Sequence, residues 1–497
     1  MEAEKLKPAA FATQVIAAMA IAYLTSLTGF ISAWPSYTVT NFMSNDTQLS
    51  APMTPIQNSL LGSLPNVGAL IATPLCGYAM DKLGRKYAAM LFGLPYVLCW
   101  AIIILTDNVH LILFAMGAVG FGAAGQAVSS VFICEIAHDS IRGGLASFCV
   151  SGYYVGILVS YVLGGRLPYR GVLRAHLALS ALYLALLALL RESPVYLMQR
   201  GREKEAMESI KFYRRYSITS KEMAHEIAKL KQALDPCLDK ILRGDEEIEV
   251  VEELLKNYKS QGKVTTLGGS TASQQTTAWR FLWESKSSKR ALLTVIVLMS
   301  LSILMGSLAL QIYAEPLMRE AAPSVPSNLA TILLAVDLLI ASLICGVVVE
   351  RYGRKPLMTY SALTSAVFAL LLGVQLQLNF FSHWVTVGII YGYTFAYTIG
   401  AATVPFILTA EVFLPEVRGL CNSICMGCMW LMNFVIVVVF NLSVPVFGLG
   451  MVFCFFALVC FIGAVYSHLC LPETKGLSTD EIQFQFYKQK KRKSLAA

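Results

Sequence analysis

Long apolar segments separated by short polar ones run along most of the chain. Twelve of them reach roughly 20 residues, the length that crosses the hydrocarbon core of a bilayer as a helix. Because backbone groups in lipid must be satisfied within the segment, we predict that each is a helix. They form two groups of six around a polar stretch, at 11–34, 57–80, 87–106, 109–134, 144–164, 171–191, 290–314, 328–349, 356–377, 383–410, 419–441 and 446–470.

Composition supports a membrane protein. The 497 residues are 56% hydrophobic and only 14% charged, and the mean hydropathy is +0.60. Such a chain is too apolar for a soluble enzyme of this length. We predict four regions, which are a six-helix bundle at 1–191, a cytosolic linker at 192–289, a second six-helix bundle at 290–471 and a basic cytosolic tail at 472–497.

The linker alternates charged residues with Leu, Ile and Met at helical spacing from Glu203 to Lys259. We predict short amphipathic helices there. From Gln261 to Thr277 it becomes rich in Ser, Thr, Gln and Gly, which predicts a flexible stretch.

Lys and Arg fall mostly on one side when the spans are counted alternately, and the positive-inside rule makes that side cytosolic. Both termini are then predicted to be cytosolic. Asn45-Asp46-Thr47 is an N-glycosylation acceptor in the first outer loop on this topology. Arg166, Arg170 and Arg174 lie on the outer side and go against the rule.

Three short motifs occur twice, once in each group of spans. A basic glycine turn stands at 81–86 (DKLGRK) and again at 350–355 (ERYGRK). A glutamate precedes an Arg-Gly pair by seven residues at 135–143 and again at 411–419. Glu192-Ser193-Pro194 follows the first group, and 472–476 (PETKG) follows the second. The chain is therefore an internal duplication, as in many secondary transporters.

These six motifs resemble those of the sugar porter family of the major facilitator superfamily, and the first span resembles that of its insect trehalose-transporter branch. The resemblance implies an all-α membrane fold of twelve transmembrane helices in two six-helix halves, with short cytosolic helices between them. It also implies gating residues, most of them charged, that latch the halves on the cytosolic side. These residues are Gly84, Arg85, Lys86, Glu135, Arg142, Glu192, Glu350, Gly353, Arg354, Lys355, Glu411, Arg418 and Glu473.

One alternative and one missing residue bear on this gating role. Basic loop residues can simply set topology without gating. The family also has an Arg early in the fourth span, where this chain has Ala115, so the first cluster lacks one member.

The substrate site implied by the resemblance is only partly present. Trp430 and Asn433 match the family pattern, and Tyr313 aligns with a family tyrosine. The family's amides or tryptophan are replaced at five positions, namely Val150, Ser302, Ile303, Leu308 and Phe406. Since an unpaired buried hydroxyl costs about 1–3 kcal/mol, these losses should weaken or change sugar recognition.

Asp337 is the only acid well inside a predicted span, and intramembrane acids are functional candidates by default. It lies next to Leu338, where the family has an asparagine. We leave two roles open for it, which are accepting a hydrogen bond from substrate and bonding neighbouring Ser or Thr hydroxyls structurally.

The functional hypothesis is facilitated diffusion of a sugar, trehalose or a hexose, by a monomeric uniporter of the plasma membrane. No acid lies between Lys5 and Asn45, where proton-coupled relatives have an Asp, although Asp337 leaves coupling open. The alternatives are a nutrient sensor with little flux and a facilitator of a non-sugar organic solute. We predict no enzyme activity, no cofactor or metal and no nucleic-acid partner, and we interpret Cys421, Cys425 and Cys428 as packing residues.

Overall fold

The structure is a computed structural model that describes residues 8–138, 141–215, 221–233, 279, 282–283, 285–477, 482–483 and 485–486. The described residues fall in two compact units. The smaller lies within 1–14 and 191–277, and the larger lies within 15–190 and 278–497.

The larger unit contains two sets of helices, one on each side of the linker in sequence. The first half consists of α1 Pro8–Phe42, which begins in the smaller unit, α2 Pro55–Leu83, α3 Arg85–Leu105, α4 Val109–Ala124, α5 Gln126–Ile136, α6 Arg142–Arg166 and α7 Tyr169–Leu189. The second half consists of helices that we number α11 Lys286–Leu304, α12 Ser307–Ile312, α13 Ala314–Ala321, α14 Ser327–Tyr352, α15 Arg354–Leu378, α16 His383–Ile399, α17 Val404–Glu411, α18 Pro415–Phe447 and α19 Leu449–Cys470.

Eleven candidate membrane spans occur among the described residues, each long and apolar enough to cross a bilayer. The remaining predicted span, 144–164, corresponds to α6. The sequence prediction of all-helical spans is therefore confirmed.

Three of the confirmed spans are made of more than one helical segment, which the sequence did not predict. The span at 109–134 breaks at Gly125, the span at 290–314 breaks at Gly306, and the span at 383–410 breaks at 400–403. Gly306 has φ +91°, a conformation open mainly to glycine, so the helix cannot continue through it. The first span also runs past its predicted end at 34, through Pro35 to Phe42.

The glycine turns lie at the same end of the larger unit. Ser36, near the C-terminal end of α1, accepts a hydrogen bond from the Glu315 amide at 2.9 Å. Asn328 lies near the start of α14, and its side chain donates to the Gly165 carbonyl at the end of α6, 3.5 Å away. Both α2 and α14 begin at the end of the larger unit where these two contacts lie, which we call the opposite end. Their C-termini, next to Gly84 and Gly353, therefore lie at the other end, which we call the turn end.

The smaller unit contains α8 Pro194–Gln199, α9 Glu203–Arg214 and α10 Lys221–Ala233. Ile210 of α9 packs with Met223 and Ile227 of α10, which is the apolar side expected of amphipathic helices. The remainder of the predicted helical stretch to Lys259 and the predicted flexible stretch from Gln261 to Thr277 lie outside the described residues.

Candidate functional site

The two glycine turns share one backbone conformation. Gly84 has φ 93° and ψ 173°, and Gly353 has φ 92° and ψ 171°. This region of backbone space is essentially restricted to glycine. The glycine of each GRK motif thus lets one helix end and the next begin within a single residue.

The arginine after Gly84 is buried and paired within the first half. Arg85 donates to Glu135 Oε1 from Nε at 3.0 Å and from Nη2 at 2.9 Å. Its Nη1 also reaches the Met80 carbonyl at 3.3 Å. Lys86 Nζ donates to two carbonyls at the C-terminal end of α7, at 2.7 and 2.9 Å. These charged donors therefore join α2, α3, α5 and α7 at the turn end.

The arginine after Gly353 occupies the equivalent place in the second half. Arg354 Nη2 donates to Glu411 Oε1 at 2.6 Å and to Glu350 Oε1 at 2.9 Å, and only 7% of its side chain is exposed. The second oxygen of Glu411 accepts from the Thr474 hydroxyl at 2.8 Å. Short charge-assisted bonds of this kind are strong and directional.

Glu473 caps the start of α15. Its carboxylate accepts from the backbone amide of Arg354 at 2.9 Å and from that of Lys355 at 3.2 Å. A negative group at a helix N-terminus satisfies orphan amides and complements the helix dipole. The cap approaches the turn so closely that a Cβ on Gly353 would lie 2.6 Å from Glu473 Oε2.

Three other predicted gating residues are placed differently. Arg418 is exposed, and its Nε donates to the Phe413 carbonyl at 3.3 Å. Glu192 belongs to the smaller unit, where its carboxylate accepts from the Ser193 amide at 2.8 Å. Arg142 opens α6, and its side chain lies outside the description. Since the ion pairs of Arg85 and Arg354 each join helices of one half, the predicted latch between halves stays a prediction.

A polar cluster between the halves centres on Gln311 of α12. Tyr153 of α6 donates to its side-chain oxygen at 3.2 Å, and the hydroxyl of Tyr161 donates to its backbone carbonyl. Its own amide donates to Ser307 at 3.1 Å. A side-chain amide has two donors and two acceptor sites, so these two side-chain bonds do not use the full hydrogen-bonding capacity of the Gln311 side chain, which is buried.

Gln311 was not among the residues predicted from sequence. The family has amide residues at the positions that Ser302, Ile303 and Leu308 occupy in this chain. Here the amide residue, Gln311, lies three positions after Leu308. A signal was present, because Gln311 is the only amide residue in the predicted span 290–314.

The predicted binding residues Trp430 and Asn433 lie three positions apart on α18, and therefore on the same side of the helix. Trp430 is buried and Asn433 is half-buried. Phe406, the replacement for the family tryptophan, lies on α17 with 40% of its surface exposed.

Tyr313 lies at the opposite end and bridges the halves. Its hydroxyl accepts from Asn441 of α18 at 2.5 Å and donates to the Asn58 carbonyl of α2 at 3.4 Å. Among the described residues, the side-chain oxygen of Asn58 is buried and accepts no hydrogen bond. A buried acceptor of this kind calls for a donor, which a solute hydroxyl can provide.

Asp337 accepts a hydrogen bond from Thr394 of α16 at 2.9 Å. It lines a side cavity between α14, α15 and α16. Asp337 therefore makes the contact with a Thr hydroxyl that we expected if its role is structural.

A model of the sugar (and other) transporter family matches residues 10–486. The chain belongs to that family. It is accordingly an integral membrane transporter rather than an enzyme, with the major facilitator fold.

Relatives and solved structures agree with this assignment. The facilitated trehalose transporter Tret1 of Polypedilum vanderplanki is 24% identical over 98% of this chain and 90% of its own length. The Tret1 protein of Aedes aegypti is 23% identical over 98% of this chain, which spans 56% of that longer protein. The inward-open xylose transporter XylE from E. coli superposes with a TM-score of 0.72 at 20% identity, covering 96% of this chain and 99% of that one.

Proposed function

We propose that the protein is a facilitative transporter that moves a sugar, trehalose or a hexose, across the plasma membrane as a monomer by alternating access. The observation that carries the proposal is the polar cluster at Gln311 between the two halves of a bundle from the sugar transporter family. Relatives that share most of this chain are named as facilitated trehalose transporters.

The proposed cycle opens the bundle first at one end and then at the other. The hydrogen bonds that Tyr313, Glu315 and Asn328 make to the first half hold the opposite end together in this structure. Opening there requires that they break. In our proposal the paired arginines keep each half rigid at the turn end while the halves rock.

Uptake by the purified full chain in liposomes tests the proposal. We expect saturable uptake of radiolabelled trehalose or glucose that a protonophore does not abolish. Gln311→Ala removes the amide between the halves and should lower uptake about tenfold, because one or two hydrogen bonds of about 1 kcal/mol each are lost. Trp430→Ala and Asn433→Ala test the binding roles implied by the resemblance.

The matched control for Gln311→Ala is Gln377→Ala. Gln377 lies on α15 near the opposite end, away from the polar cluster. Transport of other organic solutes but of no sugar would show that the transported solute is not a sugar. The replacement of the family's amides by Ser302, Ile303 and Leu308 is compatible with that outcome. Sugar binding without flux would instead favour a sensor, and a collapse of uptake with the protonophore would overturn the uniporter proposal.

We further propose that the turn end faces the cytosol, which places Asn45 outside. Asn45 is exposed in the loop after α1. In a eukaryotic host we expect a glycosidase-sensitive mobility shift that Asn45→Gln abolishes. A second acceptor triplet, Asn441-Leu442-Ser443, serves as the internal control because it is part of helix α18 and should stay unmodified. A shift that persists in Asn45→Gln would contradict this orientation.

A further inference from the structure

A cavity of about 470 Å³ lies beside the second half, away from the Gln311 cluster. All of its lining residues come from α14, α15 and α16, among them Asp337, Tyr360, Phe368, Tyr391 and Phe395. Its volume falls in the range of small-molecule sites, roughly 300–1,000 Å³. It is therefore large enough for an organic ligand and is built from one half alone.

The cavity opens on an apolar surface of the bundle. Tyr360 at its edge is 68% exposed, and the neighbouring α15 residue Val367 is 53% exposed. Ile340, one turn from Asp337 on α14, is 47% exposed. Exposed apolar side chains on the outer surface of membrane spans are suited to contact with lipid, so we infer that a ligand reaches this cavity from the bilayer.

Asp337 is unusual in such a place. Intramembrane acids nearly always face a bundle interior or a water-filled cavity and pair with another group. Thr394 donates to one oxygen of the carboxylate at 2.9 Å. Within the described residues, no cation pairs with this carboxylate. A carboxylate that lines a cavity with one oxygen engaged by a neutral hydroxyl can accept a positive ligand.

The other lining groups favour the same ligand. Four aromatic rings line the cavity with Asp337, and the Tyr391 hydroxyl is already engaged by the Ala330 carbonyl at 2.8 Å. Aromatic faces attract ammonium groups and also pack against apolar substituents. An anion would be repelled by Asp337, and a sugar would find few free hydrogen-bonding groups in the lining.

We infer that this cavity is a binding site for organic ammonium ions that carry apolar substituents and enter from the lipid phase. The ammonium group sits beside Asp337, and its substituents contact the rings of Tyr360, Phe368 and Phe395. The cavity is distinct from the Gln311 cluster, because its lining residues include none of the residues of that cluster.

Binding to the full chain in lipid nanodiscs tests this inference. The probe is radiolabelled benzyltrimethylammonium, whose charge does not change with pH, with binding to empty nanodiscs subtracted. The competitor is neopentylbenzene, which has the same shape and no charge. We expect saturable binding of the cation that unlabelled cation displaces and neopentylbenzene displaces on the order of tenfold less effectively.

Asp337→Asn keeps an oxygen for Thr394 and removes the charge, so it should weaken cation binding at least tenfold. Glu320→Gln removes the same charge from an exposed position on α13 and should leave binding unchanged. Tyr360→Ala, at an exposed position that should not impair folding, should weaken binding severalfold. Equal binding by the Asp337 and Glu320 variants would overturn the inference, as would equal displacement by the uncharged analogue. Because sugar uptake is a separate measurement, its failure would leave this result interpretable.

Discussion

Replacing Gly353 by alanine is expected to lower the free energy of unfolding by on the order of 4 kcal/mol. The backbone at φ 92° and ψ 171° is a region where a non-glycine residue costs about 1–3 kcal/mol. The new Cβ would also lie 2.6 Å from Glu473 Oε2. The carboxylate must move away, which breaks its two bonds to the start of α15, and bonds to charged groups contribute about 1.5–3 kcal/mol each.

Gly448→Ala is the matched control for this substitution. Gly448 has φ 78° and ψ 155°, and a Cβ there would meet nothing within 4 Å. Gly448→Ala should therefore lower the free energy of unfolding only by the cost of placing a non-glycine residue in this backbone conformation, about 1–3 kcal/mol. Denaturant or thermal unfolding of the purified full chain in detergent measures both variants.

The effect of the cap can be isolated with Glu473→Ala. In that background the clash is gone, so Gly353→Ala should cost about as much as Gly448→Ala does. If Gly353→Ala proves as mild as Gly448→Ala in the wild-type background, the cap does not depend on the glycine.

Replacing Arg354 by methionine is expected to destabilise the protein by about 3 kcal/mol, because it removes one partner from a largely buried ion pair. The guanidinium bonds Glu411 and Glu350. Glu411 is 28% exposed, so solvent will partly compensate its lost partner. The measurement is again the unfolding of the full chain.

Arg319→Met provides the control for that change. Arg319 pairs with Glu315 at 2.9 Å, but its side chain is 56% exposed. Exposed pairs contribute about 0–1 kcal/mol. A double-mutant cycle of Arg354→Met with Glu411→Gln should show coupling between the two sites, and additive effects would mean that the pair contributes no energy of its own.

The sequence predicted the helices well because lipid leaves the backbone few alternatives. Apolar runs of sufficient length must satisfy their own amides, so length and hydropathy sufficed. The glycine turns were also predictable, since the repeated GRK motif at Gly84 and Gly353 has the same chemistry in both halves.

The breaks and the Gln311 cluster were harder to predict. Gly306 and Gly125 stand among many glycines in spans, and nothing local shows which of them ends a helix. Gln311 was missed because the search used the positions of the family's amides, and Gln311 lies three residues after the last of them. The orientation of Asp337 toward α16 depends on packing between helices that lie far apart in sequence.

The contacts that join the two halves have an energetic consequence. Among the described residues, six hydrogen bonds between uncharged groups join the halves. At a net 0.5–1.5 kcal/mol each, they are together comparable to the roughly 5.5 kcal/mol that moves a two-state equilibrium from 1:99 to 99:1. A solute that binds one state about 10⁴-fold more tightly than the other would therefore be sufficient to tip such an equilibrium.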